Sequence, residues 1–88
     1  MSKHTILVID DDIEFLRAIT KLLSKRNYLV AGAANPVAAM DYVTGRRQHF
    51  DLIITDLSMP AMDGIEVLGA IHKLFPTQPV LVDRKSVV

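Results

Sequence analysis

The sequence predicts an α/β fold in which helices cover both faces of a parallel sheet. Apolar runs of strand length alternate with segments whose apolar residues recur at helical spacing, in the order βαβαβαβ. The connections are short, and no internal repeat or low-complexity tract interrupts them. Such alternation is typical of a doubly wound parallel sheet. At 88 residues, the chain has room for one small domain.

Residue types predict the first strand and the first helix. Residues 5–9 form a continuous β-branched and apolar run, which suits a strand buried on both faces. The helix that follows has Glu14 near its start and Arg26 near its end, where the helix dipole favours these charges. We interpret Asp12 as an N-terminal helper of this helix rather than as a metal ligand. The apolar positions at helical spacing are Phe15, Leu16, Ile19, Leu22 and Leu23.

Turn and capping residues place the remaining elements. Asn35 and Pro36 predict the N-cap and the first position of the second helix. We expect Gly32 to close the second strand and Gly45 to cap the second helix. Pro76 is expected to stop the third helix. The predicted ranges are 28–31, 51–55 and 79–82 for strands two to four, and 36–44 and 65–75 for helices two and three.

Composition excludes several functional classes. Ten basic and ten acidic side chains give a formal net charge of zero, so charge does not indicate direct contact with nucleic acid or with a membrane surface. The chain has no cysteine, which excludes disulfides and thiolate metal sites. Its apolar runs are far shorter than a membrane span, and its first residues do not resemble a secretion signal. We therefore expect a cytoplasmic protein.

Carboxylates stand at the ends of two predicted buried strands. Asp10 and Asp11 follow the first strand and Asp56 follows the third. Ligands of doubly wound sheets bind outside the carboxyl ends of the strands, so we expect these acids to converge. Like charges repel unless a cation lies among them, and Mg²⁺ prefers hard oxygen ligands and keeps waters that a phosphate can replace. Asp56 stands alone, so it is the better candidate for a nucleophile that forms an aspartyl phosphate, with Asp10 and Asp11 as metal ligands.

Three segments together resemble one known family. Residues 7–11, 51–56 and 59–64 are similar in order and spacing to motifs of the receiver domain of two-component response regulators. The similarity extends over residues 5–82. It implies a flavodoxin-like fold with sheet order 2-1-3-4-5, a topology that comes from the resemblance alone. The family's fifth strand and last two helices have no counterpart in this sequence.

The resemblance also implies roles for individual residues. The position of Asp56 accepts a phosphoryl group from a sensor histidine kinase, and the signal passes to an output domain that this sequence does not contain. Asp10 and Asp11 match the acids that hold Mg²⁺ together with the acceptor. The backbone carbonyl at the position of Ser58 completes the protein ligands of the metal.

The match to the family continues in the loop after the third strand and weakens after the fourth strand. Pro60 and Gly64 match loop-forming positions of the family. Arg84 stands where the family has a small hydroxyl residue, and the lysine of the fifth strand is missing. We therefore expect residues 1–82 to be a partial receiver domain and residues 83–88 to be a divergent tail. Phosphorylation is expected to be slow or to fall short of a working switch, because the groups that would sense the new charge are absent.

Three functions remain open from the sequence. The first is a phosphoacceptor signalling domain that is no enzyme beyond self-catalysed phosphoryl transfer. The second is a non-switching receiver-like module that acts by self-association or protein interaction. The third is a Mg²⁺-dependent phosphatase with an aspartyl nucleophile, which is disfavoured because Ser58 occupies the position of the second aspartate.

We also expect the chain to form a homodimer or a domain-swapped pair. The fourth strand would be a bare edge, and unprotected edges and large apolar patches favour association. A small core makes association more favourable still, because marginal domains often need oligomerisation. The expected contact residues are Val80, Leu81 and Val82 of the strand and Leu16, Ile19 and Leu23 of the first helix.

Overall fold

Four parallel strands form one sheet in the computed structural model, which describes residues 4–45, 50–56 and 64–83. The strands are β1 (Thr5–Ile9), β2 (Leu29–Ala33), β3 (Leu52–Asp56) and β4 (Val80–Asp83), and the helices are α1 (Ile13–Lys25), α2 (Pro36–Gly45) and α3 (Gly64–Leu74). The spatial order is β2-β1-β3-β4. This arrangement confirms the predicted α/β class with its βαβαβαβ order. Among the described residues, no helix combines the length and the apolarity that a bilayer crossing needs.

The two faces of β1 contribute to separate hydrophobic cores. Ile6 and Val8 pack with Leu16 of α1 on one face. Leu7 and Ile9 lie on the other face, in the core that α2 and α3 cover. A strand covered on both faces needs an uninterrupted apolar run, which is what the sequence provides at β1. The second core comprises Leu7, Ile9, Ala33, Ala39, Val43, Phe50, Ile53 and Ile71.

Side-chain caps define the starts of α1 and α2, and backbone hydrogen bonds close the end of α1. Asp12 is the N-cap of α1, and its carboxylate accepts a hydrogen bond from the backbone N–H of Phe15. This confirms its interpretation as an N-terminal helper of the helix. Asn35 caps α2 in the same way, accepting from the N–H of Ala38 at 2.8 Å. After α1, Asn27 takes a φ of 67°, a left-handed conformation that asparagine tolerates better than most residues.

Several predicted boundaries were wrong by one or two residues. Gly32 lies inside β2 rather than closing it, because the ladder with β1 continues to the pair Ile9 and Ala33. Gly45 is the last residue of α2 rather than a cap beyond it. Strand β3 extends to Asp56, because pairing with β4 continues that far.

The predicted association surface on α1 is less exposed than its apolar residues suggested. Leu16 is only 9% exposed, and Ile19 and Leu23 pack against the core formed by Ile6 and Val8. Leu16 belongs to the core, whereas Ile19 and Leu23 keep part of their surface exposed, so the association surface on α1 stays a prediction. Leu22, expected on the same apolar face, is instead exposed to solvent.

Candidate functional site

Asp10, Asp11 and Asp56 form one cluster at the carboxyl edge of the sheet, which we call the acid cluster. One carboxylate oxygen from each residue lies within 4.8 Å of the others. Strands β1 and β3 pair directly in parallel, with Ile9 opposite Thr55, so the residues that come next lie at the same edge. The structure therefore brings together the three acids that the sequence placed at two strand ends.

Burial increases the electrostatic cost of the acid cluster. Asp10 and Asp56 are 1% and 3% exposed, and Asp11 is half-buried. Carboxylates that are this close and this shielded from water repel one another. A divalent cation among them offsets that repulsion, and a set of carboxylate oxygens suits a hard ion such as Mg²⁺. The residues present therefore fit a magnesium site.

Backbone contacts orient Asp10 within the cluster. Its N–H donates to the carbonyl oxygen of Ala33 at 3.0 Å, which connects the end of β1 to the end of β2. Its Oδ1 accepts from the N–H of Asp12 at 2.9 Å. These bonds hold both the main chain and the carboxylate of Asp10 in place. The backbone thus orients one carboxylate of the acid cluster.

The other predicted site residues are distributed differently. Gly64 is the first residue of α3. Ser58 and Pro60 lie outside the described residues, as does Arg84. The structure therefore describes three of the predicted metal-binding positions and one of the two predicted loop positions.

Sequence reasoning did not single out Thr55, the neighbour of Asp56 in β3. Thr55 is completely buried, and its Oγ1 has no hydrogen-bond partner within the part of the chain that the structure describes. A buried hydroxyl without a partner costs free energy, so such groups are uncommon. The sequence contained one signal that could have identified Thr55, because it is a hydroxyl residue that directly follows the aliphatic run of residues 52–54.

The acid cluster offers two chemical capabilities. Its oxygens can coordinate a divalent cation. A carboxylate oxygen beside that cation can attack an electrophile such as phosphorus and form a covalent intermediate. Both capabilities depend on the closeness of the three carboxylates.

Comparison of the sequence with known families gives a match over most of the chain. The sequence profile of the response regulator receiver domain matches residues 6–83. Transcriptional regulatory protein ZraR of Klebsiella oxytoca is 43% identical over 77 residues, which are 88% of this chain and 17% of that protein. Sporulation initiation phosphotransferase F of Bacillus subtilis is 37% identical over 68 residues, which are 77% of this chain and 53% of that protein. The chain thus spans at most about half the length of these two relatives.

Solved structures give the same result for the fold. A CheY-like receiver domain protein from Methanospirillum hungatei superimposes with a TM-score of 0.87 at 28% identity, covering 99% of this chain and 68% of that chain. A response regulator protein from Burkholderia pseudomallei superimposes with a TM-score of 0.86 at 26% identity, covering 97% of this chain and 49% of that chain. The latter was crystallised with a phosphorylated aspartic acid, a calcium ion and citrate.

Proposed function

This chain belongs to the response regulator receiver domain family, and we propose that its Asp56 accepts a phosphoryl group from a sensor histidine kinase with Mg²⁺ bound beside it. Receiver domains are signalling domains of two-component systems. The proposed role is that of a phosphoacceptor, with no enzymatic activity beyond self-catalysed phosphoryl transfer. The signal would pass to an output domain. The proposed location is the cytoplasm, because the kinase needs ATP and ATP is available there.

The observation that carries this proposal is the geometry of the acid cluster. Carboxylate oxygens of Asp10, Asp11 and Asp56 lie within 4.8 Å of one another at the carboxyl edge of β1 and β3. Asp56 is the one acid of the three that ends a strand of its own. The Burkholderia response regulator supports the same chemistry, because that relative carries a phosphorylated aspartic acid together with a divalent ion.

The proposed step is a displacement at phosphorus. An oxygen of the Asp56 carboxylate attacks the phosphorus of a phosphohistidine on the kinase. A P–O bond forms, the P–N bond breaks, and its electron pair remains on the imidazole nitrogen. The product is an acyl phosphate on Asp56, and later attack by water returns the carboxylate and releases inorganic phosphate.

The remaining residues of the site position the reacting groups. Asp10 and Asp11 would hold Mg²⁺ together with Asp56, and the backbone carbonyl of Ser58 is the fourth proposed protein ligand. The ion would supply positive charge between the carboxylates and the incoming phosphoryl oxygens. Asp10 is held for this role by its bonds to Ala33 and Asp12.

Intact-mass spectrometry after incubation with Mg²⁺ and acetyl phosphate tests the proposal. We expect the mass to increase by one phosphoryl group, and we expect EDTA or Asp56→Asn to abolish the increase. Asp41→Asn is the matched control, because Asp41 is an exposed acid on α2, away from the acid cluster. Phosphorylation of the Asp56→Asn variant to the level of the parent would contradict the assignment of the acceptor.

A second candidate function is that of a module that associates with itself. The proposed contact is strand β4. This strand is an edge of the sheet, and Leu81 and Val82 are 54% and 37% exposed. Leu81 pairs in register with Ile54, so both side chains lie on the face of the sheet that carries α1. An apolar edge of this kind favours a homodimer or a domain-swapped pair.

Light scattering over a range of concentrations tests self-association. The average mass of the parent chain should rise with concentration, and Leu81→Lys should remain monomeric at every concentration. Leu74→Lys is the control, because Leu74 is similarly exposed at 51% but lies at the end of α3. A parent chain that stays monomeric throughout would exclude this candidate.

A further inference from the structure

We infer that the groove between α1 and the free edge of β2 binds an extended acidic and apolar peptide segment of a partner protein. The groove has a volume of about 410 Å³. That size falls within the range of roughly 300–1,000 Å³ that ligand sites occupy. It is lined by Ile13, Leu16, Arg17, Thr20, Lys21 and Gly32. This binding is separate from phosphoryl transfer, because none of these side chains belongs to the acid cluster.

The floor of the groove is apolar and open to solvent. Ile13, the first residue of α1, is 50% exposed. Leu16 forms the inner wall, and Gly32 leaves space in front of it because it has no side chain. A Cβ atom at position 32 would lie 3.7 Å from Leu16 Cδ2. An added methyl group at position 32 would therefore be in ordinary van der Waals contact with Leu16, and its absence leaves the Leu16 side chain facing the groove.

The rim of the groove is basic. Arg17 and Lys21 are four residues apart on α1 and therefore lie on the same side of the helix. Both are exposed, and neither forms an ion pair within the described parts of the chain. The whole chain has no net charge, so these two cations are a local feature and do not belong to a generally basic surface. The rim thus favours a ligand with carboxylates beside its apolar residues.

The free edge of β2 indicates that the ligand is a peptide rather than another amphipathic anion. Leu29 N–H donates to His4, and the carbonyl of Ala33 accepts from Asp10, so these alternate residues of β2 bond toward β1. In a parallel ladder the intervening residues, Val30 and Gly32, direct their N–H and C=O groups to the other side. No described strand covers that side. A peptide backbone that adds there as a further strand would satisfy these groups.

The geometry also sets the pattern of the peptide. Val30 packs in the core under α1, so side chains of alternate residues on an added strand point to the same face as the groove. The peptide residues that face the groove would alternate between leucine, which contacts the apolar floor, and glutamate, which pairs with the basic rim. The residues that face away from the groove would be threonine. The probe is therefore the fluorescein-labelled peptide Thr-Glu-Thr-Leu-Thr-Glu-Thr-Leu-Thr. Its counterpart has lysine in place of each glutamate.

Fluorescence anisotropy of the probe with the whole chain tests the inference. We expect saturable binding at concentrations below about 1 mM. The double variant Arg17→Glu, Lys21→Glu should bind the glutamate peptide about ten-fold or more weakly and should gain binding of the lysine peptide. Lys25→Glu is the matched control, because Lys25 is an exposed cation of α1 outside the groove. Its affinity should match that of the parent.

Substitutions at Gly32 test the apolar floor without changing charge. Gly32→Ala fits in ordinary contact with Leu16 and should retain binding. Gly32→Val places more atoms in the groove and should abolish binding. Asp56→Asn should bind the probe as the parent does, which separates this inference from the phosphoacceptor proposal. Circular dichroism would confirm that each variant is folded.

Three outcomes would overturn the inference. The first is no binding of the glutamate peptide to the parent chain. The second is that the glutamate peptide and the lysine peptide bind with the same affinity to the parent chain, and again with the same affinity to the charge-reversed variant. The third is binding to phosphatidylglycerol vesicles through Arg17 and Lys21 with no peptide binding, which would assign the basic rim to a lipid surface.

Discussion

The backbone N–H of Asp12 donates a hydrogen bond of 2.9 Å to Oδ1 of Asp10, and that bond connects the acid cluster to the start of α1. The carboxylate of Asp12 meanwhile accepts from the N–H of Phe15 at 3.1 Å. Three consecutive aspartates therefore have different environments. Asp10 is buried and oriented by the backbone, Asp11 is half-buried in the cluster, and Asp12 is an exposed helix cap.

Removing one carboxylate from the cluster should weaken Mg²⁺ binding. We expect Asp11→Asn to lower the affinity by at least about ten-fold, since even an outer partner of a metal site typically contributes that much. Isothermal titration calorimetry measures the effect. Asp41→Asn, on an exposed face of α2, should bind as the parent does. Unchanged affinity in Asp11→Asn would remove Asp11 from the ligand set.

Asp12 should affect stability rather than metal binding. Asp12→Ala deprives the N–H of Phe15 of its acceptor, which should cost about 1 kcal/mol in the free energy of unfolding. Asp12→Asn keeps an acceptor at the cap and should recover most of that loss. Urea denaturation gives both values. If Asp12→Asn instead weakened Mg²⁺ binding as strongly as Asp11→Asn, Asp12 would have to be counted as a ligand.

The left-handed residue after α1 should tolerate few substitutions. Asn27 has a φ of 67°, which an alanine adopts at a cost of roughly 1–2 kcal/mol. Asn27→Ala should therefore destabilise the chain by about 1 kcal/mol, whereas Asn27→Gly should be close to neutral. Thermal unfolding of the two variants distinguishes them. Equal stability of both variants would contradict this account of the helix end.

The core beneath α3 should depend strongly on one side chain. Ile71 is completely buried, so Ile71→Ala should cost about 2–5 kcal/mol. Leu74 lies on the same helix but is 51% exposed, so Leu74→Ala should stay within about 0.5 kcal/mol of the parent. Urea denaturation compares the two variants. A larger loss in Leu74→Ala would mean that α3 buries a different face.

Phosphorylation of Asp56 alone should not switch the shape of this chain. By its spacing from the fourth strand, we expect Arg84 to occupy the position of the small hydroxyl residue that in the family would respond to the new charge. A ligand shifts an equilibrium only through contacts that differ between the two states. Amide exchange and light scattering before and after treatment with acetyl phosphate measure the response. A clear change in association after phosphorylation would refute this expectation.

Much of the fold could be predicted because it depends on short-range patterns. The run of residues 5–9 predicted β1, and the pair Asn35 and Pro36 predicted the start of α2. Parallel sheet geometry then placed the acids of two strand ends at one edge. The boundaries at Gly32 and Asp56 were missed because strand pairing, which involves residues distant in sequence, decides where a strand ends.

The sequence by itself determined the order of the elements, the N-terminal capping residues Asp12 and Asn35, and the identity of the three clustered acids, because these follow from side-chain type and local spacing. Only the tertiary structure decided which apolar side chains remain exposed. Leu16 and Leu22 are both leucines of α1, yet the sheet covers the first and leaves the second in solvent. Their difference depends on which way the helix faces its neighbours, and packing against β1 and β2 sets that orientation.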